Sequence, residues 1–475
     1  MATKTSSIWT VYEAGHLLNR AGFGGSPIEV VELWKRGREA AVDWLLREGE
    51  ETLSIEELGG TGGWQNARNV EAIQKEFRAL DEVAREEAKR KDRMWQQNGI
   101  QELRFDWLQR MRRSQFPFRE KLALFWHGHF ATSVEKVREP FMLWSQLEKF
   151  RKSGGGDFRK LAKEMTKDPA MMRYLDSVNN RKGKPNENFA REMMELFCLG
   201  EGNYSEHDIQ EAARAFTGGR INYKNLTYQF SSKYYDDGEK EMFGKRGNWD
   251  ADGAVDLIVE HPACAFWITR KLWEFFVYEN PEEEVVERYA RKFQESGYQV
   301  KKLLREIFLS EEFQSKRAIR QQIKSPVQWL VQACRQLEIS LPREPFVLSG
   351  MQRMGQILLA PPNVKGWEGG KSWINTSALL TRYNQAGSLV LGDGIPGGRS
   401  AGGFIAPSNL VSEEMRENPE DLLRQLGFRL FQSPLDPGTQ EPFFEYIASK
   451  SAVLSDKDVN GLIHLMMCTP EYQVC

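Results

Sequence analysis

A mainly α-helical fold, one large multi-helix body with at most a small β-hairpin, is predicted by three features of this sequence. Apolar residues recur at the 3.6-residue helical period along most of the chain, and alternating strand-like segments are scarce. Helix-start signals also stand in front of the periodic stretches, as in Ser26-Pro27-Ile28-Glu29, which reads as an N-cap, a first-turn Pro and a capping-box Glu.

That first signal opens a helix carrying Val30, Val31, Leu33 and Trp34. From 66 to 113 the chain is rich in Glu, Lys, Arg and Ala with widely spaced apolar residues, which predicts one long or once-broken helix with a solvated charged face. The next helix starts at Pro117 and is expected to stop at Gly128. Further helical patterns lie at 140–152, 157–166, 186–199, 205–217, 253–260, 263–278, 282–295, 299–309, 325–337 and 348–358. The stretch 220–235, with Ile221, Tyr223, Tyr228, Phe230 and Tyr235 among polar residues, is the hairpin candidate. Three parts are expected: a main body over 1–386, a Gly/Pro loop or flap over 387–407, and a small helical segment over 408–475 packing on the body.

Composition excludes several function classes. Lys plus Arg is 65 against 67 Asp plus Glu, a formal charge of -2, which lacks the basic footprint of a general nucleic-acid binder. No apolar run reaches the ~18 residues of a membrane span. The five Cys show no CxxC spacing, so buried thiols are expected in place of a disulfide framework or a zinc knuckle. No apolar leader is readable before Val11. The expected location is therefore the cytosol, with export only alongside a companion that carries the signal.

Two constellations carry candidate chemistry. His127-Gly128-His129 offers two imidazoles, ligands suited to a divalent transition ion such as iron, manganese or zinc, although each His alone is more often a hydrogen-bonded structural residue. In Asn186 to Phe197, helical spacing puts Asn188, Arg191, Glu192 and Glu195 within one arc of about 100°. The helix opening at Ser205 aligns His207, Glu211 and Arg214, and the short linker between the two helices predicts antiparallel packing. Such stripes suit metal ligation or acid–base work if they face a cleft, and solvated ion pairs if they do not.

Glu192, Glu195, Arg191, His207 and Glu211 are the catalytic candidates, His127 and His129 the metal ligands, and Asn188, Arg214, Trp367 and Trp373 the substrate-binding candidates. Asn248 to Asp256 copies the first half of a calcium loop but lacks the closing acid, so Asp252 is expected as a helix N-cap instead. Gly369-Gly370-Lys371-Ser372 has neither the glycine spacing nor the preceding strand of a phosphate loop.

The segments His16 to Gly24, Leu124 to Phe130, Glu187 to Gly200, Tyr204 to Gly218 and Pro361 to Trp373 together resemble a bacterial family known as domain of unknown function 1800. The resemblance implies a mainly helical protein, often paired with an exported sulfatase-like or phosphatase-like companion, and it implies no established activity. Two functions are therefore expected as alternatives: a metal-dependent enzyme with a His/Glu site between helices, or a non-catalytic helical protein that docks such a companion.

Overall fold

The structure, a computed structural model, describes residues 9–49, 53–58, 60–342, 344–391, 406 and 409–475. Helices dominate it, and the capping box expected at Ser26 is present. Thr10 and Glu13 close a capping box at the head of Val11–Ala21, and Ser26 and Glu29 close another at Pro27–Lys35. The charged stretch is a once-broken helix. Val70–Ala79 ends as Leu80 turns extended, and Asp81 then caps the 32-residue helix Glu82–Arg113. Only the second half of that helix enters the core, through Ile100, Leu103, Trp107, Leu108 and Met111.

Helix Pro117–His129 is the axis of the body and is buried along nearly its whole length. Trp126 stacks with Phe130 and Phe158, and its indole nitrogen donates to the Gly154 carbonyl at 2.9 Å. On the same helix Glu120 is wholly buried. Its carboxylate accepts from Arg151 Nε at 3.0 Å and Nη2 at 3.0 Å, and from Trp107 Nε1 at 3.1 Å. Arg20, also buried, donates to the Phe276 and Val277 carbonyls and so caps the end of helix Pro262–Phe276.

The hairpin expected within 220–235 is present, and a second small one accompanies it. Gly219–Asn222 pairs antiparallel with Thr227–Phe230, and Lys240–Met242 pairs with Lys245–Gly247. The second hairpin escapes pattern reading because its strands are three residues long and mostly charged. Its signal is the turn Phe243-Gly244, where both residues have positive φ, as a two-residue hairpin requires. Asp250, not Asp252, caps helix Ala251–Glu260, and Asp252 instead pairs with Lys167 at 2.7 Å.

The expected loop boundary also moves. Helix Thr376–Val390 runs through 387–390, while 392–405 and 407 lie outside the described residues. The last helices, Pro419–Phe431, Pro437–Ala448 and Asp456–Met467, pack on the body: Arg429 donates to the Gln336 carbonyl at 2.7 Å and Tyr472 Oη to Gln336 Oε1 at 3.1 Å. The chain then returns inward, with Lys324 N–H donating to the Gln473 carbonyl. Among the described residues no helix is long and apolar enough to cross a membrane. All five Cys are free thiols. Trp64, Trp107, Trp126, Trp273 and Trp329 are fully buried, so much of the tryptophan content is core and not docking surface.

Candidate functional site

Gly128 does not end its helix, which continues through His129. Two residues apart on a helix, the imidazoles point about 200° apart and cannot face one ion. His127 is fully buried between Trp107 and Trp367, and its Nε2 accepts the Leu359 N–H at 3.1 Å, which leaves the proton on Nδ1. His129 Nε2 donates to the Phe197 carbonyl at 2.9 Å while its ring stacks on Phe125. Burial lowers the pKa of both rings to about 3. Among the described residues no group of three or more His, Cys, Asp or Glu is placed to hold a metal ion. The expected gathering of His127 and His129 with Glu192 or Glu195 around iron, manganese or zinc is thus corrected.

The helix expected over 186–199 is α-helical only at Glu187–Glu192 and continues as a π-helix at Met193–Cys198. The last carbonyls of this helix take side-chain donors: Leu196 accepts from Trp267 Nε1 at 2.9 Å and Phe197 from His129. Within this turn Glu195 reaches a cleft and accepts from Tyr204 Oη at 2.9 Å. Glu192 is half-buried, and burial together with Glu195 raises its carboxyl pKa.

The other striped residues serve the scaffold. Arg191 forks onto Glu206 at 2.8 and 2.7 Å, and Asn188 Nδ2 donates to the Leu175 carbonyl. Glu211 binds Arg214 at 2.9 Å and accepts the Glu241 N–H, while Arg214 also holds Asp236, so this pair anchors the second hairpin. His207 is exposed. The two stripes therefore do not form one acid–base site.

What does converge is a cleft of about 820 Å³, lined by His129, Glu195, Trp367 and Trp373 from the sequence-derived set. Trp267 joins the two other tryptophans in its walls. Gly200, at φ 79°, lets Trp267 lie flat on the backbone, since a Cβ there would stand 2.8 Å from the indole. Lys121 and Lys324, both fully buried, also line the cleft. Lys121 donates to Gln328 Oε1 and lies 5.0 Å from the Phe23 ring centre; Lys324 Nζ sits 3.8 Å from the Tyr472 ring centre.

No side-chain carboxylate among the described residues pairs with either ammonium. Burial lowers both amines to about 7; the charge at Cys475 acts the other way, and neighbouring arginines add to the lowering. The rest of the lining carries Glu201, Glu274, Glu279 and Glu368 together with Lys271 and Lys365, and burial raises the Glu274 carboxyl.

Sequence reasoning missed the lysines because their neighbours come from distant segments. The available signals were a lone Lys121 inside an apolar helical run, and Lys324 just before the Ser325-Pro326 helix start.

One glycine fixes the cleft wall. Gly366 has φ 84°, and a Cβ there would collide with the Gly128 carbonyl oxygen. Gly366→Ala is expected to cost roughly 1–3 kcal/mol, read as a lowered urea midpoint, because it combines a left-handed backbone with a clash that only backbone movement relieves.

The family model described as Protein of unknown function (DUF1800) matches residues 16–474, nearly the whole chain. No curated protein and no solved structure matches it.

Proposed function

The chain belongs to the DUF1800 family, of unknown function, and we propose from its cleft that it binds an acidic saccharide. The observation that carries this reading is the pair Lys121 and Lys324, buried in the lining of a tryptophan-walled cavity where neither pairs with a side-chain carboxylate and the charge at Cys475 only partly offsets their burial. A buried cation is costly unless something compensates it, and an anionic ligand group does so while gaining charge-assisted hydrogen bonds. Trp267, Trp367 and Trp373 offer flat apolar faces to the ring of a sugar, and the carboxylates and amides around them accept from and donate to its hydroxyls.

The same groups favour acid–base chemistry on that ligand. Glu274, raised by burial, is suited to give a proton, and an amine near neutrality to take one. Divalent-metal chemistry draws no support from the positions of His127 and His129.

Titration calorimetry at pH 6.5 with hyaluronan tetrasaccharide, chondroitin sulfate tetrasaccharide and neutral cellotetraose tests the proposal. At least one acidic probe should bind ten-fold or more tighter than cellotetraose, and Lys121→Met and Lys324→Met should each weaken it at least ten-fold. Equal affinity for cellotetraose, or variants that bind as wild type does, would refute it. The companion-docking alternative draws on exposed Leu379, Leu380 and Tyr383 of helix Thr376–Val390. It is tested by co-purification with a sulfatase-like companion, which Leu380→Glu should abolish.

A further inference from the structure

A second cavity, of about 600 Å³, lies between helices Pro27–Lys35, Arg38–Leu46 and the end of Glu82–Arg113, and shares no lining residue with the tryptophan cleft. Five arginines line it: Arg36, Arg47, Arg112, Arg113 and Arg335. Arg335, with a side chain 8% exposed, is the one paired with a lining carboxylate, Glu29 at 2.6 Å. Of the other two acids in the lining, Glu338 is taken by Arg429 at 2.7 Å, so Glu32 is the lining acid left to the other four guanidiniums, with Glu57 outside the lining beside Arg113.

Those four are held by main chain and aromatic rings. Arg47 donates to the Trp44 and Gln115 carbonyls, Arg112 to Ile339 at 2.7 Å and Arg113 to Glu57. The guanidiniums of Arg47 and Arg36 lie 3.8 and 4.9 Å from the Trp44 ring centre. Carbonyl clamping fixes the forks in place without neutralising them. Their mutual repulsion is felt: burial lowers the Arg47 pKa and Arg36 adds to it, while Arg113 and Arg335 do the same beside Arg112.

We propose that this cavity binds a polyvalent oxyanion of the phosphate class. Planar guanidinium forks match tetrahedral oxyanions bidentately, and several fixed like charges around one cavity favour an anion that concentrates more than one charge in a compact group. A monovalent ion cannot answer four guanidiniums. The guanidiniums of Arg36 and Arg47 already occupy the Trp44 ring, so the phosphate group itself is taken as the recognised part.

The probe is inorganic pyrophosphate, titrated into the full chain at constant ionic strength, with chloride as competitor and ADP without magnesium as the organic phosphate. Saturable binding is expected, with Arg36→Gln and Arg113→Gln each weakening it about ten-fold. Arg36 is exposed and makes no backbone clamp, so its variant folds; Arg90→Gln, on the exposed face of the long helix, removes the same charge and should leave binding unchanged. ADP binding like pyrophosphate supports a site for the free anion, and tighter ADP binding supports the same site reading an organic phosphate. Absence of saturable pyrophosphate binding, or equal weakening by Arg90→Gln, would overturn the site.

Discussion

Acidification from pH 7 to pH 5 is expected to destabilise this protein steeply. His16 and His127 are buried and His129 is half-buried in the cleft wall, and desolvation takes each pKa to about 3 against an ordinary value of 6.5. Their folded pKa lies below the unfolded one, so the unfolded chain binds more protons between pH 6.5 and 3. Stability is therefore complete above 6.5 and falls as the pH drops through that window. Each proton contributes about 1.4 kcal/mol per pH unit, so three such groups give a slope of order 4 kcal/mol per unit. Urea unfolding at pH 7, 6 and 5 reads this directly. A midpoint that is flat across the series would show that the three rings are not buried as neutral groups.

Glu120→Ala is the most damaging single substitution expected. It leaves the buried Arg151 guanidinium, whose pKa Glu120 and Glu148 hold above the ordinary arginine value, without its main counter-charge, and it leaves Trp107 Nε1 without an acceptor. Removing one member of a buried pair costs about 3–5 kcal/mol. Adding Arg151→Met to the same chain should recover part of that loss, because the stranded charge goes with it. A single variant within about 1 kcal/mol of wild type in denaturant titration contradicts the buried ion pair.

Local chemistry made most of the fold readable. Ser26 and Glu29 announce their own helix, and the weakly apolar 66–113 segment breaks where Asp81 can cap a new start. The site was only half readable, for physical reasons. A heptad-like stripe gives the direction of a side chain but not its partner, so Glu195 and Glu211 looked equivalent although the cleft receives the first and a hairpin the second. An α-helical wheel also misplaces side chains once the turn widens to π geometry at Met193. The HxH pair failed as a metal motif because Gly128 stays helical and rotates the rings apart. Lys121 and Lys324 stand 203 residues apart in the chain, and only folding puts them in one cavity.

The most direct test of the acidic-saccharide cleft is the pH dependence of hyaluronan tetrasaccharide affinity between pH 6 and 9. With free-protein amines near 7 at Lys121 and Lys324, an anionic group requires their protons. Affinity should hold below pH 7 and then fall, by up to about a hundred-fold per pH unit where both protons must be taken up, a slope that Lys121→Met and Lys324→Met each reduce. Affinity independent of pH over that range, with the same profile in both variants, would contradict the assignment of the cleft lysines to an anionic ligand.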